Sequence, residues 1–259
     1  MNDNFVLNME KAFARVLPTD RVVVYESVDS TNTRAKLFAL DGADSASFFI
    51  AKKQSEGRGR RGRSFESSEG GLYISYLSFL KIPASELIML TVFSSVALCE
   101  VIEETTNLKP KIKWVNDVFV GNKKLAGILT EGEFSEDCGS FKYAVVGIGV
   151  NLCKTDFSEV VKSIATDVET ECGVRVDIYD FAARLAKKLK SFDQKLIDQY
   201  LTRYRERSFV LGKRIKVLCR SEEFFAEALR IESNGNLTVK LDTGEIKSLC
   251  SAEVSIITE

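Results

Sequence analysis

The chain has 259 residues, 45% of them hydrophobic and 28% charged, with 36 Lys and Arg against 37 Asp and Glu for a formal net charge of −1. That balance excludes a disordered chain and argues against nucleic-acid binding by the whole surface, so any affinity for anions has to be local. The absence of histidine excludes a Ser-His-Asp triad, a Cys-His dyad and the usual histidine metal sites.

Six cysteines, at 99, 138, 153, 172, 219 and 250, lack CxxC spacing and mostly sit beside aliphatic residues, which favours buried reduced thiols over disulfides. No basic-then-apolar segment opens the chain, and no apolar run approaches the ~20 residues of a membrane helix. The chain therefore reads as cytoplasmic.

Phe5, Met9, Phe13 and Val16 recur near helical spacing before Pro18, and residues 22–25 read as a strand. Ser30 and Thr31 cap a helix that runs to about Leu40 and ends at Asp41-Gly42, which places the polar triplet Ser30-Thr31-Asn32 at a strand-to-helix junction. Residues 48–51 and 72–77 form two buried strands with an arginine-rich loop strung between them, and residues 86–104 form a long helix that is apolar nearly all round. Strands at 111–114, 118–120, 125–130 and 143–150 follow, then one long helical segment from Ile178 to about Arg207 that carries the chain away from the sheet. Runs of strands between long helices predict an α+β sheet with helices on one side. After Leu211-Gly212, five short strands with tight turns at Asn234-Gly235 and Thr243-Gly244 predict a small barrel as a second domain.

Four arginines and three glycines fill the seven residues Gly57-Arg58-Gly59-Arg60-Arg61-Gly62-Arg63. Glycine permits positive φ and exposed N–H groups, and guanidinium forks match phosphate or carboxylate oxygens. A solvated basic loop, an RNA-binding arginine-glycine box and a phosphate clamp all fit this composition. The clamp is favoured because the motif occurs once, framed by apolar strands, whereas arginine-glycine boxes repeat within disordered tracts. Lys113-Trp114-Val115-Asn116-Asp117 and Lys123-Lys124-Leu125-Ala126-Gly127-Ile128 place lysines on successive strands, where they either converge on one ligand or decorate an exposed hairpin. Gly147-Ile148-Gly149-Val150-Asn151 permits close approach of a ligand to the backbone, with Asn151 able to bond a hydroxyl or phosphate.

Taken in this order, together with Gln54 and Gly70-Gly71-Leu72-Tyr73-Ile74-Ser75, these residues resemble the biotin protein ligases from about Tyr25 to the C-terminus. The resemblance implies an α+β fold: a mixed-sheet catalytic domain of the biotin/lipoate ligase type over residues 1–209, followed by a small SH3-like β-barrel over residues 210–259. It also implies a two-step reaction in which biotin and ATP, with Mg²⁺, give biotinoyl-AMP, and a lysine of a biotin carboxyl carrier domain then takes the biotinyl group. By similarity, Ser30, Thr31, Asn32 and Gln54 contact the ureido end of biotin, while Arg58, Gly59 and Arg60 line the biotin and adenylate site. Lys124 sits on the biotin carboxylate and the bridging oxygen. Arg58, Arg63, Phe65, Lys113, Asn116 and Asn151 serve the nucleotide, and Asp117 orients or deprotonates the incoming amine. The arginine loop is expected to be a mobile lid, poorly ordered until the adenylate forms.

The chain departs from the family pattern with Val115 where proline is common, Phe65 where tryptophan is usual and Ser68 where proline is frequent. About thirty residues precede the triplet, too few for the DNA-binding domain of the repressor members, so no DNA partner is expected. No membrane partner is expected either, and a homodimer formed through sheet edges is left open. The related lipoate ligases typically carry an Arg-Arg-x-Ser-Gly-Gly-Gly signature and a nearby His-Asp, which a chain without histidine lacks. A nucleic-acid-binding protein would need a wider basic surface than 36 basic against 37 acidic residues supplies.

Overall fold

The structure is a computed structural model that describes residues 4–83, 86–219 and 222–257; the Cys138 side chain, and with it the expectation for that thiol, lies outside the described residues. Helix α1 (Phe5–Val16) buries Phe5, Met9 and Phe13 along one face, and Asn4 caps it by accepting from the Leu7 N–H. Strand β1 (Arg21–Tyr25), helix α2 (Thr31–Leu40) and strands β2 (Ser47–Ala51) and β3 (Gly71–Ser78) follow, then the buried helix α3 (Leu87–Thr105). Strands β4 (Lys111–Lys113), β5 (Asp117–Val120), β6 (Lys123–Ser135) and β7 (Ser140–Asn151) complete one sheet. Its order is β1-β2-β3-β7-β6-β5-β4, parallel between β1 and β2 and antiparallel elsewhere.

Side-chain alternation along the central strands divides the sheet into two unlike faces. Phe48, Ile50, Leu72, Ile74, Tyr76, Val146, Ile148 and Val150 point into the main core beneath α1 and α3. Phe49, Leu77, Tyr143 and Val145 point the other way and pack against Ala35 and Phe38 of α2. Helices therefore cover both faces, which corrects the expectation of helices on one side. The physical reason is that β2 and β3 are buried along their whole lengths, and a strand apolar on both faces needs cover on both.

The expected single helix from Ile178 to Arg207 is also corrected. After the short helices α4 (Glu159–Lys162) and α5 (Val168–Cys172), the chain forms α6 (Ile178–Lys190), a 3-10 turn at Gln194–Leu196 and α7 (Ile197–Arg207). The break lets Phe192 stack against Tyr200 and meet Phe93 of α3 edge-on, with ring centroids 6.0 and 5.2 Å away. Asp193 then caps the turn by accepting from the Lys195 N–H. Both helices pack on α3 instead of leaving the sheet.

Strands β8 (Arg214–Cys219), β9 (Glu222–Ile231), β10 (Leu237–Leu241), β11 (Ile246–Leu249) and β12 (Glu253–Ile256) form a second, wholly antiparallel sheet in the order β11-β10-β9-β8-β12. Its buried residues, among them Ile215, Val217, Ala228 and Val239, belong to the same continuous core as α3 and the first sheet. Trp114, buried just after β4, donates its indole N–H to the Gly235 carbonyl in the β9–β10 turn at 3.0 Å. This contact ties the two sheets together at the place where the Lys113–Asp117 motif turns. The five cysteines described are free, and the expectation of buried thiols holds only for Cys99, where burial pushes the thiol up to about 12; Cys153, Cys172 and Cys219 are half-buried, and Cys250, in the turn before β12, is exposed. Among the described residues, no helix is long and apolar enough to cross a membrane.

Candidate functional site

A cavity of about 500 Å³ opens on the α2 face of the first sheet. Its floor follows from the strand register. Ser75 pairs with Gly147 and Gly149 with Gly127, so the centre of this face, between Tyr73 and Leu129, carries very small side chains where the opposite face carries Ile74, Ile148 and Ile128. The room left by those glycines admits Asn32, Phe65 and Lys124, which line the cavity above them.

Lysines 113 and 124 converge across β5, which lies between their strands. Lys124 Nζ is 2.7 Å from Asp117 Oδ1, and Lys113 Nζ is 3.9 Å from Asp117 Oδ2. A β-bulge brings Lys124 there. Asp117 pairs with Gly127 and Val118 with Ala126, but Phe119 pairs with Lys124, so Leu125 is an extra residue. Without it, alternation would direct Lys124 with Ala126 and Ile128 into the core; with it, Lys124 joins Gly127 on the cavity face. Burial holds the Lys113 ammonium below its usual range, an effect that Asp117 opposes and Lys124 reinforces. A half-buried pair of cations answered by one carboxylate is a good receptor for a further anion.

The arginine loop crosses the cavity mouth and is fastened to the second sheet. Arg60 donates to Asn116 Oδ1 at 3.1 Å and to Ser251 Oγ at 2.7 Å, Arg61 to the Leu218 carbonyl at 2.7 Å, and Arg63 to Glu253 Oε1 at 2.6 Å. Asn116 is itself fixed to β6, donating to the Ile128 carbonyl at 2.9 Å. Burial lowers the Arg60 pKa, and Asp117 opposes the shift. These contacts give the loop a defined path across the cavity mouth. Exposed pairs such as Arg63–Glu253 contribute about 0–1 kcal/mol each, so an arriving polyanion can compete for these arginines. Within the loop, Gly62 and the non-glycine Arg61 take positive φ, whereas Gly57 and Gly59 do not.

The polar triplet forms the other end of the cavity. The Thr31 N–H and hydroxyl both donate to Gln54 Oε1, at 2.8 and 3.1 Å, and Gln54 Nε2 donates to Ser67 Oγ at 3.0 Å, which couples the start of α2 to the base of the arginine loop. Ser30 is buried as the N-cap residue, but its side chain makes no capping bond. Asn32 reaches over Gly147: a Cβ on that glycine would lie 2.0 Å from Asn32 Oδ1. Gly149 makes the same allowance for Phe65, whose ring would sit 2.6 Å from a Cβ there and carries Lys124 Nζ 5.7 Å from its centroid.

Of the residues singled out in the sequence, Ser30, Thr31, Asn32, Gln54, Arg58, Gly59, Arg60, Arg63, Phe65, Lys113, Asn116, Asp117 and Lys124 all line this cavity. Asn151 does not. It is buried and donates to the Thr166 carbonyl at 3.2 Å, and the Thr166 N–H in turn donates to the Lys124 carbonyl, so Asn151 braces the segment between α4 and α5 that runs beside Lys124 instead of lining the cavity. Sequence reasoning missed the contribution of the second sheet, where Ala252, Glu253, Val254 and Ser255 close one wall. It also gave no separate role to Ser75, whose hydroxyl lies 2.7 Å from Thr31 Oγ1 and 2.6 Å from Asn32 Oδ1; a serine in an otherwise apolar strand was the available signal.

The family model described as the biotin/lipoate A/B protein ligase family matches residues 24–151. The bifunctional ligase/repressor BirA of Escherichia coli (strain K12) is 30% identical over 240 residues, covering 91% of this chain and 74% of that protein. The biotin--[acetyl-CoA-carboxylase] ligase of Paracoccus denitrificans is 32% identical over 174 residues, covering 65% of this chain and 71% of that protein. Among solved structures, the biotin protein ligase from Aquifex aeolicus in complex with biotin and ATP superposes with a TM-score of 0.75 at 27% identity, covering 92% of this chain and 99% of that one. Motif order, cavity, sequence identity and superposition converge: this chain belongs to the biotin/lipoate A/B protein ligase family.

Proposed function

We propose that the chain is a biotin protein ligase that joins biotin and ATP into biotinoyl-AMP and passes the biotinyl group to a lysine of a biotin carboxyl carrier domain. The observation that carries this reading is a single cavity with two unlike ends: an uncharged triplet held by Gln54 and Ser75, and a cationic cluster of Arg60, Arg63, Lys113 and Lys124 around Asp117. The relatives bearing the ligase name and the Aquifex aeolicus structure holding biotin and ATP support the same assignment.

In the first step a biotin carboxylate oxygen attacks the α-phosphorus, the bond from that phosphorus to the bridging oxygen breaks, and pyrophosphate leaves with the electron pair. Two anions approach each other, so the step depends on fixed positive charge. Lys124, aimed by the bulge, meets the reacting carboxylate, while Lys113, Arg60 and Arg63 take the phosphates. Phe65, over the glycine floor, offers a face for the adenine. In the second step the carrier amine attacks the acyl carbon and AMP leaves. When Lys124 has turned toward the acyl phosphate, a free oxygen of Asp117 can take the amine proton.

Mg²⁺ enters the proposal as the ion carried by the triphosphate, whose charge it would help neutralise. Among the described residues no group of three or more Cys, Asp or Glu side chains is placed to hold a metal. The two carboxylates lining the cavity, Asp117 and Glu253, are already engaged by Lys124 and Arg63. Protein donors therefore do not form a cage for the ion, and no step is routed through it. The reading further takes residues 1–209 as the catalytic unit and residues 210–259 as an SH3-like barrel, with a cytoplasmic location and no DNA partner. The contacts of Arg60, Arg61 and Arg63 support a role for the second unit as the seat of the loop.

ATP–pyrophosphate exchange measured with biotin and then with lipoate tests the assignment. Exchange driven by biotin and not by lipoate is the expected result. Exchange driven by lipoate alone would move the chain to the lipoate branch of the family.

A further inference from the structure

Glu131 lies on β6 beside the cavity without lining it, and the reaction described above makes no use of it. Its carboxylate nevertheless gathers donors from two separate parts of the chain. Asn32 Nδ2 and Lys36 Nζ, one turn apart on α2, lie 2.9 and 2.8 Å away, and Arg58 Nη2 of the arginine loop lies 3.5 Å away. The Glu131 side chain is 21% exposed, so solvent screens these attractions less than those of a surface pair. Burial, the largest single effect, pushes its carboxyl up. The hydrogen bonds from Lys36 and Asn32 and the charges of Lys36 and Arg58 outweigh burial, and the carboxyl stays below the usual range.

The Asn32 amide can take only one orientation among these partners. Its Nδ2 donates to Glu131 and to the Leu129 carbonyl, and its Oδ1 accepts from Ser75. Turned over, it would set an oxygen against a carboxylate and a carbonyl. Both amide hydrogens are thereby consumed, and Oδ1 rests over Gly147, where a side chain would collide with it. Asn32 can then offer a ligand only an acceptor. That suits a ligand that presents an N–H.

We propose that Glu131 is a positioning residue for the uncharged end of the site: it sets the acceptor sense of Asn32 and tethers Arg58, so that α2 and the arginine loop present one preformed surface to the N–H-bearing ring of the acid substrate. The proposal rests on the ligase reading, because it takes biotin as that substrate. A carboxylate suits the position better than an amide, since glutamine would bring an NH₂ against donors.

The test compares Glu131→Gln, Glu131→Asp and Lys36→Met in biotin-dependent pyrophosphate exchange. Glu131→Gln should raise the KM for biotin about ten-fold or more, the loss expected for one hydrogen bond to a charged group, with kcat and the KM for ATP within about two-fold. Glu131→Asp, which keeps the charge on a shorter arm, should fall between it and the wild type. It also supplies the reading if the glutamine variant fails to fold. Lys36→Met should leave the KM for biotin within about three-fold, because Asn32 and Arg58 keep their partner. In the Glu131→Gln background, Asn32→Ala should add little further. A biotin KM unchanged in both Glu131 variants, or full additivity with Asn32→Ala, would overturn the proposal. A wild-type enzyme that exchanges with lipoate but not biotin would instead remove the ligase reading on which it rests.

Discussion

Replacing Lys124 with methionine is expected to lower the rate of adenylate formation by about 10²–10³-fold, the range found when one preorganised donor is removed from a charged transition state. Methionine keeps most of the side-chain volume, so the effect isolates the charge. Two consequences reinforce each other. The reacting carboxylate loses its nearest cation, and Asp117 loses its 2.7 Å partner, leaving Lys113 at 3.9 Å as its remaining lysine. Lys113 should then move toward Asp117. Its pKa should rise as well, because Lys124 is one of the groups holding it down. Single-turnover formation of labelled biotinoyl-AMP measures the rate directly, and a value within a few-fold of wild type would remove Lys124 from the central role.

Gly147→Ala is expected to damage the opposite end of the cavity. The new Cβ would lie 2.0 Å from Asn32 Oδ1, 2.7 Å from its Cγ and 2.9 Å from Nδ2, distances that no side chain tolerates. Asn32 cannot retreat without surrendering its bonds to Ser75, Leu129 and Glu131. Losing the bond to Glu131 together with even one of the two neutral bonds costs about 2–4 kcal/mol, and if that cost falls on the acceptor surface offered to biotin it corresponds to a KM for biotin raised about 30- to 1000-fold. The KM for ATP should change little, because the cationic cluster stands on other strands. Steady-state kinetics with each substrate varied in turn check this; equal rises in both constants would indicate general disruption of the floor instead of a local loss.

The two ends of the site differed in how far the sequence disclosed them. Residue types were legible throughout: a loop with four arginines, lysines near Asn116-Asp117, a polar triplet at a helix start. Each stands out against apolar strands, and strand position follows from local patterning. Geometry that depends on counting across strands was not legible. The extra residue at Leu125 decides which face Lys124 takes, and a bulge of this kind leaves no mark in a run as ordinary as Lys123-Lys124-Leu125-Ala126. The partners of the arginines were hidden for a related reason. Arg63 and Glu253 are 190 positions apart, and nothing in Ala252-Glu253-Val254 marks the glutamate as a latch for a distant loop.

Asn151 shows the converse limit. A glycine-rich strand ending in asparagine suggests a ligand contact, yet the side chain is claimed by the Thr166 carbonyl. The break between α6 and α7 was concealed because Ser191, Phe192 and Asp193 interrupt a helical pattern without a proline or glycine, and it is the ring packing of Phe192 that bends the chain. Local pattern specified most strands and the first three helices; long-range contacts specified where α6 gives way to α7 and how the site residues are aimed.

The most direct measurement of the central claim is transfer to protein. The chain is incubated with ATP, Mg²⁺, labelled biotin and a biotin carboxyl carrier domain, and the carrier is analysed by intact mass and peptide mapping. ATP-dependent addition of one biotinyl group to one carrier lysine, absent when that lysine is replaced by arginine, is the result expected of a biotin protein ligase. A carrier left unmodified while the chain turns over ATP, or a carrier that accepts lipoate in place of biotin, would contradict it.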